Sequence, residues 1–387
     1  MLSFFVLLKL ILSKLYMNPY KWNTMFPNQI QFGKDIAESF KNPNIYSILA
    51  VALTQSGKTG SMLSVIEQVP HEHVFLITGL SSVEWVEQTK SRFPKHLRNC
   101  IFHRNQLPSF VKKVKNLQNV LVIIDENQIA FKQNQTIHKS FVEAGLMDVN
   151  DLIAKQVRIV HFTATPTNTD QFLSHSFSDV VFMKQDPAYV SAFDLFEQGR
   201  ILEYKDLAGC LEENDYSNVS WKKLSSFVPV HEDVASHLDE LKTELDRFKS
   251  PRYHIIRTFH SYFHDVTILN FMKVFKDADF ISEMELDNMD ELLEKPPLKH
   301  TFLFIKEKLR CAKTLVKTHL GILYERLTKK PKMNTILQGL AGRLTGYHTN
   351  KDAVVFSNPR LVVEYHRRWE SEFPKAKGDI NVFIGER

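Results

Sequence analysis

The run Ala52-Leu53-Thr54-Gln55-Ser56-Gly57-Lys58-Thr59 ends with a glycine, a cation and a hydroxyl in succession. Gly57 allows the backbone to curl, so that successive N–H groups can face phosphate oxygens. Lys58 carries a charge suited to the β- and γ-phosphates of a nucleotide, and Thr59 offers a hydroxyl to Mg²⁺. Thr54, Gln55, Ser56 and Gly60 complete this candidate cradle for ATP, to which a helix opening here adds its positive dipole end. A second run, Asn119–Gln128, is apolar until Asp125-Glu126. Asp125 can hold Mg²⁺ through water, and Glu126 can orient and polarise an attacking water. In a third run, His161–Pro166, Thr163 and Thr165 supply hydroxyls that can sense a phosphate or bond the acidic pair. Thr-Pro there favours a turn.

Groups of this kind need rigid elements behind them. Short apolar runs at Tyr46–Ala52, Val74–Thr78, Asn99–His103, Val120–Ile124 and Val157–Phe162 read as strands buried on both faces. Helical patterns at Gly60–Gln68, Val83–Arg92 and Leu107–Lys115 lie between them. This alternation predicts a three-layer α/β domain with a parallel sheet. Strand runs resume at Tyr253–Arg257, Asp279–Ser282, Thr301–Ile305, Leu320–Tyr324, Ala353–Phe356 and Asn381–Ile384, which predicts a second α/β domain. The expected organisation is an apolar extension over 1–24, a first domain over 25–185, a connector or insertion over 186–250, and a second domain over 251–387.

Composition narrows the class. The 387 residues suffice for about two or three domains, and 43% hydrophobic with 24% charged residues excludes a disordered, coiled-coil or fibrous protein. Lys and Arg total 49 against 44 for Asp and Glu, an excess that permits a polyanion partner without demanding one. Cys100, Cys210 and Cys311 are dispersed, with no CxxC pair, so a disulfide framework or zinc finger is not expected. That pattern suits a reducing, intracellular setting, cytoplasm or nucleus, with a virion in view only for a viral chain. His71-Glu72-His73 lacks the further ligands of a metal site. The first 17 residues, MLSFFVLLKLILSKLYM, are interrupted by Lys9 and Lys14 and fall short of the roughly 20 apolar residues of a spanning helix. They read as an added amphipathic helix, or as an upstream start with Met17 as the functional initiator. No membrane partner is expected.

AxTxSGKT at 52–59, Asp125-Glu126, and Thr163-Ala164-Thr165-Pro166, in this order, resemble motifs I, II and III of the superfamily 2 helicases and translocases, the DEAD/DEAH-like ATPases. Gln338-Gly339-Leu340-Ala341-Gly342-Arg343-Leu344-Thr345-Gly346-Tyr347 resembles their motif VI, QxxGRxxR, in a QGLxGRxTGY form associated with viral and phage members. One extra residue stands between Gln338 and Gly342, and Gly346 occupies the place of the usual second arginine. Phe26-Pro27-Asn28-Gln29-Ile30-Gln31 is similar to the adenine-reading Q motif, with Gln31 in the matching place. Thr78-Gly79-Leu80-Ser81 resembles motif Ia, Arg257-Thr258 resembles motif IV, and Arg310 falls in a motif V-like region. Trp85, just past motif Ia, reads as core rather than as a base-stacking platform.

The resemblance implies two RecA-like domains with ATP and Mg²⁺ in the cleft between them. The first domain would bind the nucleotide. Gln338 and Arg343 would act on it from the second. Thr78, Gly79, Ser81, Arg257, Thr258 and Arg310 would hold a nucleic-acid strand across both. The implied function is a nucleic-acid-dependent ATPase that moves along or unwinds DNA, with DNA ahead of RNA as the track. Further protein subunits are compatible with it. The alternative is an ATP-dependent nucleic-acid-binding switch, or a partner subunit, that does not unwind.

Overall fold

A computed structural model describes residues 25–81, 83–126, 135–166, 179–209, 232–259, 262–282, 289–306, 314–347 and 350–373. Strands β1 (Ser47–Val51), β2 (His73–Thr78), β3 (Ile101–Phe102), β4 (Val120–Asp125), β5 (Arg158–Thr163) and β6 (Asp179–Phe182) form one sheet in the order β3-β2-β4-β5-β1-β6. Strands β7 (Ile201–Glu203), β8 (Tyr253–Thr258), β9 (Asp279–Ser282), β10 (Thr301–Lys306), β11 (Leu320–Tyr324) and β12 (Val354–Ser357) form a second, in the order β7-β12-β11-β8-β10-β9. Every pairing in both sheets is parallel. The molecule is thus two RecA-like lobes.

The apolar runs are continuous because helices cover both faces. In the first sheet, Leu49, Val51, Phe75, Ile77, Val122 and Ile124 pack with the helices Leu107–Val114 and Thr136–Ala144. Their neighbours Ile48, Ala50, Val74, Leu76, Leu121 and Ile123 pack on the other side, with the helices Pro27–Ser39, Lys58–Gln68 and Val83–Arg92. Among the described residues no helix is long and apolar enough to cross a membrane.

Two elements depart from the sequence expectation. β6, an edge strand beside β1, is not among the expected strands: its apolar run, Val180–Met183, is only four residues long and the strand is only partly buried. The stretch 186–250, expected as a connector or insertion, is partly built into the second lobe. β7 pairs with β12, and Arg200 donates from Nε to the Ala353 carbonyl at 2.8 Å. Val234, Leu238 and Leu241 of the helix Glu232–Leu245 enter the second core. A three-residue strand is too short to show a period, and the charged outer face of that helix masks its apolar stripe. The expected strand Asn381–Ile384 lies outside the described residues, as do residues 1–24 and Arg310.

The helix Pro359–Glu370 straps the second lobe to the first. Tyr365 donates from its hydroxyl to the Ala164 carbonyl, and the Trp369 ring meets Phe182 of β6 edge-on at 5.6 Å. In the first sheet the chain passes from β1 to β2 on the far side of β4 and β5, then returns to fill those places. Such a reversal opens a crevice at the carboxyl ends of the central strands.

A candidate active site between the lobes

The loop after β1 delivers Lys58 and Thr59 to that crevice. Gly57 caps the helix Lys58–Gln68 in the left-handed region, at φ +92°. Gln55 also has a positive φ, +60°, and so has Glu126, +54°. Left-handed backbone at a non-glycine residue costs about 1–3 kcal/mol and persists only where its surroundings enforce it. Both strained residues lie on the crevice.

Lys58, Thr59, Thr54, Gln55, Gly57, Asp125 and Glu126 of the first lobe line one cavity of about 230 Å³ with Lys317, Gln338 and Arg343 of the second. Lys58 Nζ lies 3.7 Å from Glu126 Oε1. Asp125 Oδ2 accepts the Trp85 indole N–H at 3.0 Å, while Oδ1 is buried with no hydrogen-bond partner. Burial first, and then the neighbouring Glu126 charge, hold the Asp125 carboxyl above its ordinary range; Lys58 and the Trp85 N–H oppose them. Trp85 therefore belongs to the core, as its sequence context indicated, and also orients an acid of the site. A lone tryptophan in a helix gives no sequence signal for the second role.

The lobes meet through the motif-bearing segments. Gln338 donates from Nε2 to Thr165 Oγ1 at 3.0 Å, which ties the turn after β5 to the helix Met333–Gln338. Thr163 Oγ1 accepts the Thr165 N–H at 3.1 Å and shapes that turn. Thr54 Oγ1 donates to the Leu337 carbonyl at 3.2 Å, and Thr345 Oγ1 donates to the Thr54 carbonyl at 2.9 Å. A Cβ on Gly342 would stand 2.2 Å from the Leu337 oxygen and 2.8 Å from Thr54 Cγ2, so only glycine permits this approach. Arg343 is 2% exposed and donates to the carbonyls of Gln338 at 2.7 Å and Gly339 at 3.3 Å. It thus lines the cavity while bracing its own segment. The residue added to motif VI is accommodated by a break at Gly339, between the helices Met333–Gln338 and Leu340–Leu344.

Several sequence-assigned residues have other places. Gln31 is exposed and donates to Asp35 Oδ1 at 2.8 Å. Gln29, 4% exposed, is the glutamine at the phosphate loop. A Cβ on Gly57 would lie 1.9 Å from its Nε2, and one on Gly60 2.3 Å from its Oε1. On the helix Pro27–Ser39, a two-residue offset moves a side chain to another face, and only the fold shows which face meets the loop. Ser56 turns inward: its hydroxyl donates to the Leu53 carbonyl at 2.8 Å and leaves the cradle.

The nucleic-acid assignment changes more. Thr78, Gly79, Arg257 and Thr258 are buried, and Ser81 is exposed. Arg257, 3% exposed, donates from Nη1 to Glu325 Oε1 at 2.8 Å and Oε2 at 2.7 Å. Glu325 Oε2 also accepts the Leu340 N–H at 3.2 Å, so this pair holds the start of the helix that carries Arg343. Thr258 Oγ1 bonds His264 Nδ1 at 2.7 Å and the Ile305 carbonyl at 3.3 Å. Tyr347 closes the motif VI-like segment. It stacks on Phe26 with centroids 4.3 Å apart, a further link between lobes.

No family model matches the chain. It is 23% identical over 363 residues to an uncharacterised protein, L594, of Acanthamoeba polyphaga mimivirus, covering 84% of this chain and 81% of that protein. Among solved structures it is similar to the Escherichia coli DExH-box NTPase HrpB, with a TM-score of 0.51 and 10% identity, over 86% of this chain and 41% of HrpB. It also matches Saccharomyces cerevisiae Dbp5 bound to Gle1 and IP6, with a TM-score of 0.49 and 10% identity, over 90% of each chain. The likeness is one of fold: two parallel-sheet lobes, as in that DExH-box NTPase.

Proposed function

We propose that the chain is an ATPase of the superfamily 2 type that uses ATP hydrolysis to move along or unwind a nucleic acid, with DNA ahead of RNA. The observation that carries this reading is one cavity shared by Lys58, Asp125 and Glu126 from one lobe and Gln338 and Arg343 from the other. A cation, a metal-type carboxylate and a second acid, faced by a guanidinium, form the group set that phosphoryl transfer needs.

Asp125, through its unpaired Oδ1, and the Thr59 hydroxyl would hold Mg²⁺, which when bound neutralises charge on the phosphates. Lys58 and the loop N–H groups bind the triphosphate. Glu126 orients and polarises the attacking water. Arg343, always charged, offers a donor fork to the transferring phosphoryl group once the lobes close. The Thr165–Gln338 bond supports coupling, since it joins the turn beside the acids to the segment that carries Arg343. Loss of the γ-phosphate would then change the grip between lobes. For the nucleic acid, the support is the two-lobed architecture and the exposed Ser81 beyond β2, not the buried Arg257.

The mimivirus relative agrees with a viral origin for this type of chain, and further protein subunits remain part of the proposal. The test is ATP turnover with single-stranded DNA, duplex DNA and RNA added in turn, beside a strand-displacement assay. Stimulation by a polynucleotide supports the motor. Turnover unaffected by any of them counts against it, and stimulation without displacement favours the translocase or switch.

A further inference from the structure

Gly346 stands where motif VI usually carries a second arginine, and the surroundings explain what replaces that charge. Gly346 has φ +104° and bridges Val190, with its N–H donated to the Val190 carbonyl at 2.9 Å. A Cβ there would lie 3.2 Å from the Gln55 carbonyl oxygen and 3.4 Å from Lys317 Nζ. A side chain at 346 is therefore strained by its backbone and crowded by its neighbours. The space beside it already holds an ammonium group.

Lys317 comes from a different part of the second lobe, ahead of β11. Its Nζ donates to Gln55 Oε1 at 2.7 Å, across the lobe boundary, and to the Thr345 carbonyl. It is 8% exposed and has no carboxylate partner among the described residues. An unpaired buried cation is costly, and burial together with Arg343 pushes the Lys317 ammonium down to about 7. Its third N–H has no acceptor among the described residues. Gln55 Nε2, beside it, is buried without a partner as well. Both side chains line the cavity shared with Lys58, Thr59 and Arg343. Two unused donors and an uncompensated cation call for a ligand made of acceptors and negative charge.

We propose that Lys317 is the second cation of the cleft, reaching the nucleotide phosphates from the second lobe in place of the absent motif VI arginine, with Gln55 as its partner on the phosphate loop. This deepens the ATPase reading and rests on it. It also changes the division of labour, because Arg343 no longer acts alone. A lysine supplies a compact charge rather than a fork, so Lys317 neutralises charge while Arg343 orients.

The test uses the full chain as wild type, Lys317→Met, Lys317→Arg and Lys58→Ala. Binding of a labelled ATP analogue, steady-state turnover and melting temperature are measured on each preparation. Lys317→Met is expected to lower kcat about 10- to 100-fold, the worth of a charge-assisted contact, with KM within about threefold. Its melting temperature should hold or rise, because an unpaired buried charge is removed. Lys317→Arg should recover part of kcat. Turnover per folded molecule within twofold of wild type in Lys317→Met, with Lys58→Ala inactive, would overturn the proposal and leave the ATPase reading intact. A wild-type chain that neither binds nor hydrolyses ATP would overturn both.

Discussion

At the carboxyl end of β4, Asp125 keeps one buried oxygen unpaired beside a cavity; just past β11 in the other lobe, Glu325 has both oxygens filled by Arg257 and by backbone N–H groups. The nearby cations differ in the same way. Lys58 stands 3.7 Å from Glu126, whereas Arg257 Nη1 meets both Glu325 oxygens at 2.7 and 2.8 Å. Both pairs sit at the ends of parallel sheets. The difference lies in the carboxylates: Glu325, filled on both oxygens, is mortar, and Asp125, with one oxygen open, awaits a ligand. Sequence motifs do not record saturation, which is why Arg257 reads as a nucleic-acid contact although the structure holds it against Glu325.

Arg343 gives the largest expected effect that sharpens this contrast. Arg343→Ala should lower ATP turnover by at least ~100-fold, and Arg343→Lys should rescue poorly, because a point charge cannot reproduce the fork. Turnover and melting temperature must be read on one preparation, since the same guanidinium braces the Gln338 carbonyl. A fall in melting temperature with normal turnover per folded molecule would move Arg343 to the saturated class.

For Arg257 the expected effect is on stability. Arg257→Met leaves Glu325 charged and buried, which should cost about 3–5 kcal/mol in denaturant unfolding. The double variant Arg257→Met with Glu325→Leu should recover most of that loss. Weakened polynucleotide binding at unchanged stability would instead restore Arg257 as a nucleic-acid contact.

The smallest effect separates two glutamines. Gln29→Ala should raise KM for ATP about two- to tenfold, because the side chain packed against Gly57 and Gly60 no longer supports the loop. Gln31→Ala, at an exposed position, should leave KM within twofold. The reverse order would return Gln31 to the site.

These cases also mark how far the sequence could be read. The strands that carry the cleft were legible because strands buried on both faces are apolar throughout, and the turn chemistry after β1, β4 and β5 lies within a few residues. Lys58, Asp125, Glu126, Thr165 and Gln338 were legible as members of local patterns, and the fold brings them to one crevice. Lys317 was not, because an isolated lysine carries no local pattern and gains its meaning from Gln55, far away in the chain. That Gln29 and not Gln31 meets the loop was not legible, because helical facing is decided by packing on Gly57 and Gly60. The edge strands β6 and β7 were not legible because their apolar runs, Val180–Met183 and Ile201–Leu202, are shorter than those that mark the central strands.

The central claim is that this cleft binds and hydrolyses ATP, with Glu126 acting on the attacking water and Lys58 holding the phosphates. The most direct measurement is ATP binding and single-turnover hydrolysis for wild type, Glu126→Gln and Lys58→Ala. Glu126→Gln should bind ATP as wild type does and hydrolyse it at least ~100-fold more slowly, since general-base assistance is worth about 10²–10⁴. Lys58→Ala should lose hydrolysis and bind more weakly. Wild-type turnover in Glu126→Gln, or near-normal turnover in Lys58→Ala, would contradict the account.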